Sequence, residues 1–165
     1  MTEVRGARIR RTRRGDFELR LPPAERDVLR SLPSQLRALL RSDDPALERL
    51  FPPAYADDAR MEEEYRGLVR EDLLAARERS LDVMASTIDA NRLDEEQVLA
   101  WLGAINDLRL VLGTRLEVTE ELYETGLPDD DPRAVPFAIY AYLGWLQEQV
   151  VGALASGLDP AGRRD

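Results

Sequence analysis

The sequence contains no cysteine, no histidine and no lysine. Lacking thiol and imidazole, the chain cannot build a thiolate zinc site, a Cys or Ser-His nucleophile, an imidazole base or a disulfide switch. Phosphate-loop and dinucleotide signatures are missing too, because the glycines are isolated and none clusters between a strand and a helix. Long apolar runs are absent, including at the arginine-rich start from Met1 to Arg14. Neither a signal peptide nor a membrane span is therefore expected, and the predicted location is the cytoplasm. These absences leave a protein expected to act by binding rather than by catalysis, with no metal and no cofactor.

What is present is enough apolar material for a core: 44% of 165 residues are hydrophobic. One domain over residues 1–158 is expected, followed by a flexible tail at 159–165. All 23 basic residues are arginine, set against 32 acidic ones for a net charge of −9. That field opposes adhesion to polyanions. The charge is uneven. Residues 1–14 hold six arginines against Glu3, a balance of +5, which leaves −14 for the remainder. The chain reads as a basic hook on an acidic body.

The fold class predicted is mostly α, a bundle of about five helices with a short N-terminal β-hairpin. Phe17, Leu19 and Leu21 alternate with Glu18 and Arg20 at period two, and Gly15-Asp16 supplies a turn, so the hairpin lies within about 4–21. Pro22-Pro23 ends it and opens a helix over Ala24–Arg41, with Pro33 expected to bend or split that helix. Asp44-Pro45 reads as a cap for a short turn, and Pro52-Pro53 as a break. A long helix follows, roughly Asp58–Asp89, with Met61, Tyr65, Leu68, Val69, Leu73, Ala76, Leu81, Met84 and Ile88 on its apolar side. Asp94 with Gln97 predicts a capping box for a helix to about Glu117, cored by Val98, Trp101, Leu102, Ile105, Leu108, Leu112 and Leu116. A helical turn from Thr119 and an acidic loop through Asp129–Asp131 lead to a last helix, Arg133–Ala155. That helix is apolar on more than one face, which predicts a central place or a subunit interface.

Three sets of residues are candidates for function. Arg8, Arg10, Arg11, Arg13 and Arg14 on the hairpin suit DNA or an acidic partner, because a two-stranded ribbon enters a groove and guanidinium pairs bidentately with phosphate. The competing reading is an edge hairpin whose arginines prevent strand aggregation or pair with the acidic body. Asn106, Asp107, Arg109 and Arg115 lie in an apolar stretch, where polar groups must find partners, as a buried network or as a pocket. Tyr140, Trp145 and Val151 are candidates for a dimer interface. The carboxylates Asp57, Asp58, Glu62, Glu63 and Glu64 read as a solvated helix start, since the usual bundle metal sites add a histidine that is not there. Arg14-Gly15-Asp16 spells an integrin tripeptide and reads as a turn.

The runs FELRLPPAERDVLRSLPSQLRALL (Phe17–Leu40), LERLFPPAY with EEEYRGLVREDLL downstream, WLGAINDLRLVLGTRLEVTEE (Trp101–Glu121) and YAYLGWLQEQVV resemble an actinobacterial family. It has long been catalogued as a domain of unknown function and is associated with AosR-type oxidative-stress transcriptional regulation. The resemblance implies a small regulatory protein, here without a cysteine switch. A signal would then come through methionine oxidation at Met61 or Met84, a ligand, or a partner. Expected partners are a second copy of the chain, a protein of the transcription or proteolysis machinery, and DNA through the hairpin, with no membrane. The alternative is a protein–protein adaptor, linked to Clp proteolysis, that makes no DNA contact.

Overall fold

The computed structural model describes residues 6–51 and 57–157, so the expected break at Pro52-Pro53 and the expected tail lie outside the described residues. The chain opens with β1 (Ile9–Arg11) and β2 (Phe17–Leu19), an antiparallel hairpin pairing Ile9 with Leu19 and Arg11 with Phe17. Its turn closes through Thr12 N–H to Asp16 O at 2.8 Å and Gly15 N–H to Thr12 O at 3.1 Å. Gly15 has φ +91°, a value that strains a residue bearing a Cβ. The tripeptide Arg14-Gly15-Asp16 is thus turn chemistry.

Helix α1 (Pro23–Leu40) begins with proline in its first turn and continues through Pro33 to Leu40 as one helix. It buries Leu29, Pro33, Leu36 and Leu40. A 3-10 turn over Pro45–Leu47 follows, capped by Asp44, whose carboxylate accepts from Ala46 N–H. Helix α2 (Ala59–Ser86) is capped by Asp58 through the amides of Arg60 and Met61. Two i,i+4 ion pairs form on its surface, Arg66–Glu62 at 3.2 Å and Arg60–Glu64 at 3.7 Å.

A third strand was not expected. Strand β3 (Arg92–Leu93) pairs with β2, aligning Leu93 with Phe17, and completes an antiparallel sheet of order β1-β2-β3. Two residues carry no alternation to read, so only the partner strand defines it. Directly after it, Asp94 and Gln97 form the capping box of α3 (Glu95–Arg115). Such a cap contributes about 1 kcal/mol. At the other end of α3, Glu117 takes φ +52° while Val118 N–H reaches Gly113 O at 3.0 Å and Glu117 N–H reaches Thr114 O at 3.2 Å. That is a Schellman termination with glutamate where glycine is usual. Helices α4 (Glu120–Thr125, capped by Thr119) and α5 (Ala134–Ala155) are the last elements among the described residues.

Helix α3 is the centre of the bundle, packing against α2 on one side and α5 on the other, with α1 and the 3-10 turn also on it. Trp101, Val98, Ala104 and Ile105 are fully buried, and Trp101 donates its indole N–H to Thr87 Oγ1 at 2.7 Å. Helix α5 buries one line, Leu143, Leu146, Val150 and Ala153, and flanks α3. Ile139, Tyr142, Trp145 and Leu154 pack at the margin of the core, while Val135 and Val151 are exposed. Of the expected apolar side of α2, Leu81 and Met84 are buried, with Ile88 just past the end of the helix, and Leu74 is buried in place of the expected Leu73. Met61 is 45% and Leu68 79% exposed, and Leu73 is exposed as well. The helical period is kept, but periodicity alone does not say where a neighbour stops.

Candidate functional site

The hairpin arginines are mostly committed within the chain. Arg8 forms an ion pair with Glu25 at 3.0 Å, and its guanidinium lies 5.3 Å from the Trp145 ring centre. Arg10 pairs with Glu18 at 2.9 Å across the strands, and Arg20 reaches the same carboxylate at 3.0 Å. Arg11 stacks on Phe17, 4.7 Å from the ring centre, and reaches the Leu154 carbonyl at 3.4 Å. Arg92 of β3 pairs with Asp16 at 3.1 Å. These contacts depress both carboxyl pKa values: for Glu18 chiefly through Arg20 and then Arg10, for Asp16 chiefly through the Thr12 hydroxyl and then Arg92. Arg13 and Arg14, exposed in the turn, have no carboxylate within 4 Å among the described residues. The basic surface is therefore the tip, not the whole ribbon.

The four polar residues of the α3 region separate. Residues 107 and 109 are two positions apart on one helix, about 200° around its axis, so they face different neighbours. Asp107 is 2% exposed and meets Arg77 of α2 at 2.5 Å, while the same guanidinium donates to the Leu50 carbonyl at 2.9 Å. Burial pushes the Asp107 carboxyl above its ordinary pKa, with the Arg77 charge and hydrogen bond opposing. Arg77 was not among the sequence candidates. Its signal was its position on the buried line of α2, between Leu74 and Leu81, where a charge needs a partner.

Arg109 and Asn106 turn to α5 instead. Arg109 Nη1 donates to Gln147 Oε1 at 3.3 Å, and Gln147 Nε2 donates to Asn106 Oδ1 at 3.4 Å. The Arg109 guanidinium lies 5.3 Å from the Tyr140 ring centre and flat against Gly144, where an added Cβ would come within 3.2 Å of Nε. That Nε is buried without a hydrogen-bond partner, and no carboxylate lies within 4 Å of Arg109 among the described residues. A cavity of about 410 Å³ opens here, lined by Arg109, Tyr123, Gly144, Gln147, Glu148, Val151 and Gly152. Arg115 joins neither group and pairs with Asp44 at 3.0 Å. Asp107 and Arg109 thus form no joint centre. Among the described residues no three acidic side chains gather as metal ligands, and no helix is long and apolar enough to cross a membrane.

A family described as Domain of unknown function (DUF2017) matches residues 4–154. The chain belongs to the DUF2017 family. Its curated relatives include the AosR protein of Mycobacterium leprae, 35% identical over 132 residues, covering 69% of this chain and 60% of that protein. The proteins named oxidative stress regulator AosR in Mycobacterium bovis and Mycobacterium tuberculosis are 31% identical over 128 residues, covering 67% of this chain and 58% of theirs. The DUF2017 chain therefore spans 58–60% of the length of these relatives. No solved structure matches it.

In this DUF2017 chain the three residues considered for a dimer interface have different surroundings. Tyr140 sits in an aromatic cluster, edge-to-face with Tyr123 and tilted against Phe137, at ring-centre distances of 6.3 Å each. It also covers Gly113, where an added Cβ would lie 2.9 Å from its ring. Trp145 packs against the core beside Tyr142 and Arg8. Val151 alone is exposed, at 49%. Of Met61 and Met84, Met84 is fully buried and Met61 faces solvent, so Met61 is the one of this pair open to an oxidant.

Proposed function

We propose that this DUF2017 chain is a regulator in the response to oxidative stress that acts by non-covalent binding, without a thiol switch and without catalysis. The observation that carries this reading is the likeness to the AosR proteins over two thirds of the chain, joined to a sequence free of cysteine and histidine. The contact surface is the hairpin tip, Arg13 and Arg14, and the partner is an acidic protein surface.

Charge arithmetic favours protein over DNA. Two uncommitted arginines neutralise about two phosphates, whereas strong DNA binders make roughly 6–10 such contacts. A body with net charge −9 works against the rest. In the host, loss of the gene is expected to raise peroxide sensitivity and change transcript levels of oxidant-response genes; unchanged survival and transcripts would remove the regulatory reading. A salt-titrated DNA-binding assay on wild type and Arg13→Ala/Arg14→Ala addresses the tip. Weak binding that the substitutions leave unchanged supports the protein-directed tip. Tight binding whose log-log salt slope drops by about 2 in the variant replaces it with DNA contact.

A further inference from the structure

Arg109 is a half-buried cation with no carboxylate within 4 Å among the described residues, and it borders an open cavity. Its partners are the Gln147 amide oxygen, to which it donates one long hydrogen bond, an aromatic face and a glycine surface. A guanidinium removed from water in this way is under-satisfied, and an anion arriving from outside gains from its charge and its donors together. We propose that the cavity between α3 and α5 binds a small monoanionic carboxylate with an apolar body, its carboxylate on Arg109.

Three features narrow the ligand. The planar fork of arginine fits two coplanar oxygens. Glu148 on the cavity wall repels a second negative charge, which disfavours phosphate dianions. Tyr123, half-exposed, and Val151 give an apolar shelf, and Gly144 and Gly152 keep the wall free of side chains. The volume, about 410 Å³, falls in the range of small-molecule sites, roughly 300–1,000 Å³. This site is separate from the hairpin tip, so its test does not depend on what the tip contacts.

Benzoate is a suitable probe, titrated into the full 15N-labelled chain, with benzamide as its neutral counterpart and inorganic phosphate as the dianion. Benzoate is expected to give saturable shifts at the amides of Gly144, Gln147 and Gly152 and at the Arg109 side-chain N–H. Benzamide should give none and phosphate weaker ones. Arg109→Gln should weaken benzoate binding at least about tenfold, the effect of losing a charged hydrogen-bonding pair. An added Cβ at Gly152 meets nothing within 4 Å, so Gly152→Leu should fill the cavity and block the probe while melting at or above the wild-type temperature. Glu148→Gln should narrow the preference for benzoate over phosphate. Equal shifts with benzamide, or undiminished binding by both Arg109→Gln and Gly152→Leu, would overturn the site. So would shifts that grow with protein concentration alone, because the carboxylate would then come from a second copy.

Discussion

Two guanidiniums meet α3 on different sides, and their circumstances differ in one respect. Arg77 enters from α2 and finds Asp107, a buried carboxylate, with the Leu50 carbonyl for its second nitrogen. Arg109 leaves toward α5 and finds an amide, a ring and a glycine. The first is a closed account of charge; the second is open on one side. A buried charge with its partner is structural, because each member would be costly alone. A half-buried charge without one is a place where something else can bind.

The largest expected effect comes from breaking the closed pair. Asp107→Ala should cost about 3 kcal/mol, at the lower end for a buried pair because Arg77 keeps partial contact with solvent. Chemical denaturation checks this, and a loss well under about 1 kcal/mol would mean that Arg77 simply swings out to water. Replacing both members, Arg77→Met/Asp107→Leu, is expected to recover stability to within about 1 kcal/mol of wild type, since neither charge is then left alone. Failure to recover would assign the pair a role beyond mutual satisfaction.

Arg109→Gln should cost less than about 1 kcal/mol, the size of a cation–π contact and some stem packing. A loss equal to that of Asp107→Ala would erase the distinction between the two sites.

The smallest effect is in pH dependence. Burial favours the protonated form of Asp107, so its contribution to stability is full below the ordinary carboxyl value of 3.8 and is lost as pH rises through its raised folded-state value. Asp16, Glu18, Asp44, Asp89 and Asp131, held down mainly by hydrogen bonds, behave oppositely: their contribution is present above the ordinary value and lost as pH falls through the depressed one. The melting-temperature deficit of Asp107→Asn is therefore expected to narrow as pH rises from the acid range toward neutrality.

Features governed by a few adjacent residues were legible in the sequence. The Gly15-Asp16 turn, the Asp94/Gln97 capping box, the Thr119 start of α4 and the proline-led start of α1 all lie where local chemistry puts them. Features that depend on which element covers which face were not. Strand β3 exists only because β2 runs beside it, and Met61, Leu68 and Leu73 keep a helical period yet stay exposed. In the site, Asn106 and Arg109 fall together through Gln147, a residue 38 positions from Arg109 that no local rule selects. Asp107 was legible as a group in need of a partner, but 23 arginines gave too many choices until helix packing picked Arg77.

The sheet has a practical corollary for anyone cutting or fusing this protein. Phe17 and Leu19 are core residues, and Phe17 lies opposite Leu93, immediately ahead of the capped start of α3. The basic ribbon is thus a cornerstone, not an appendage: trimming the chain after Leu21 would open a void under the first turn of the central helix. A shortened protein made that way reports on a damaged bundle, whatever it does or fails to bind.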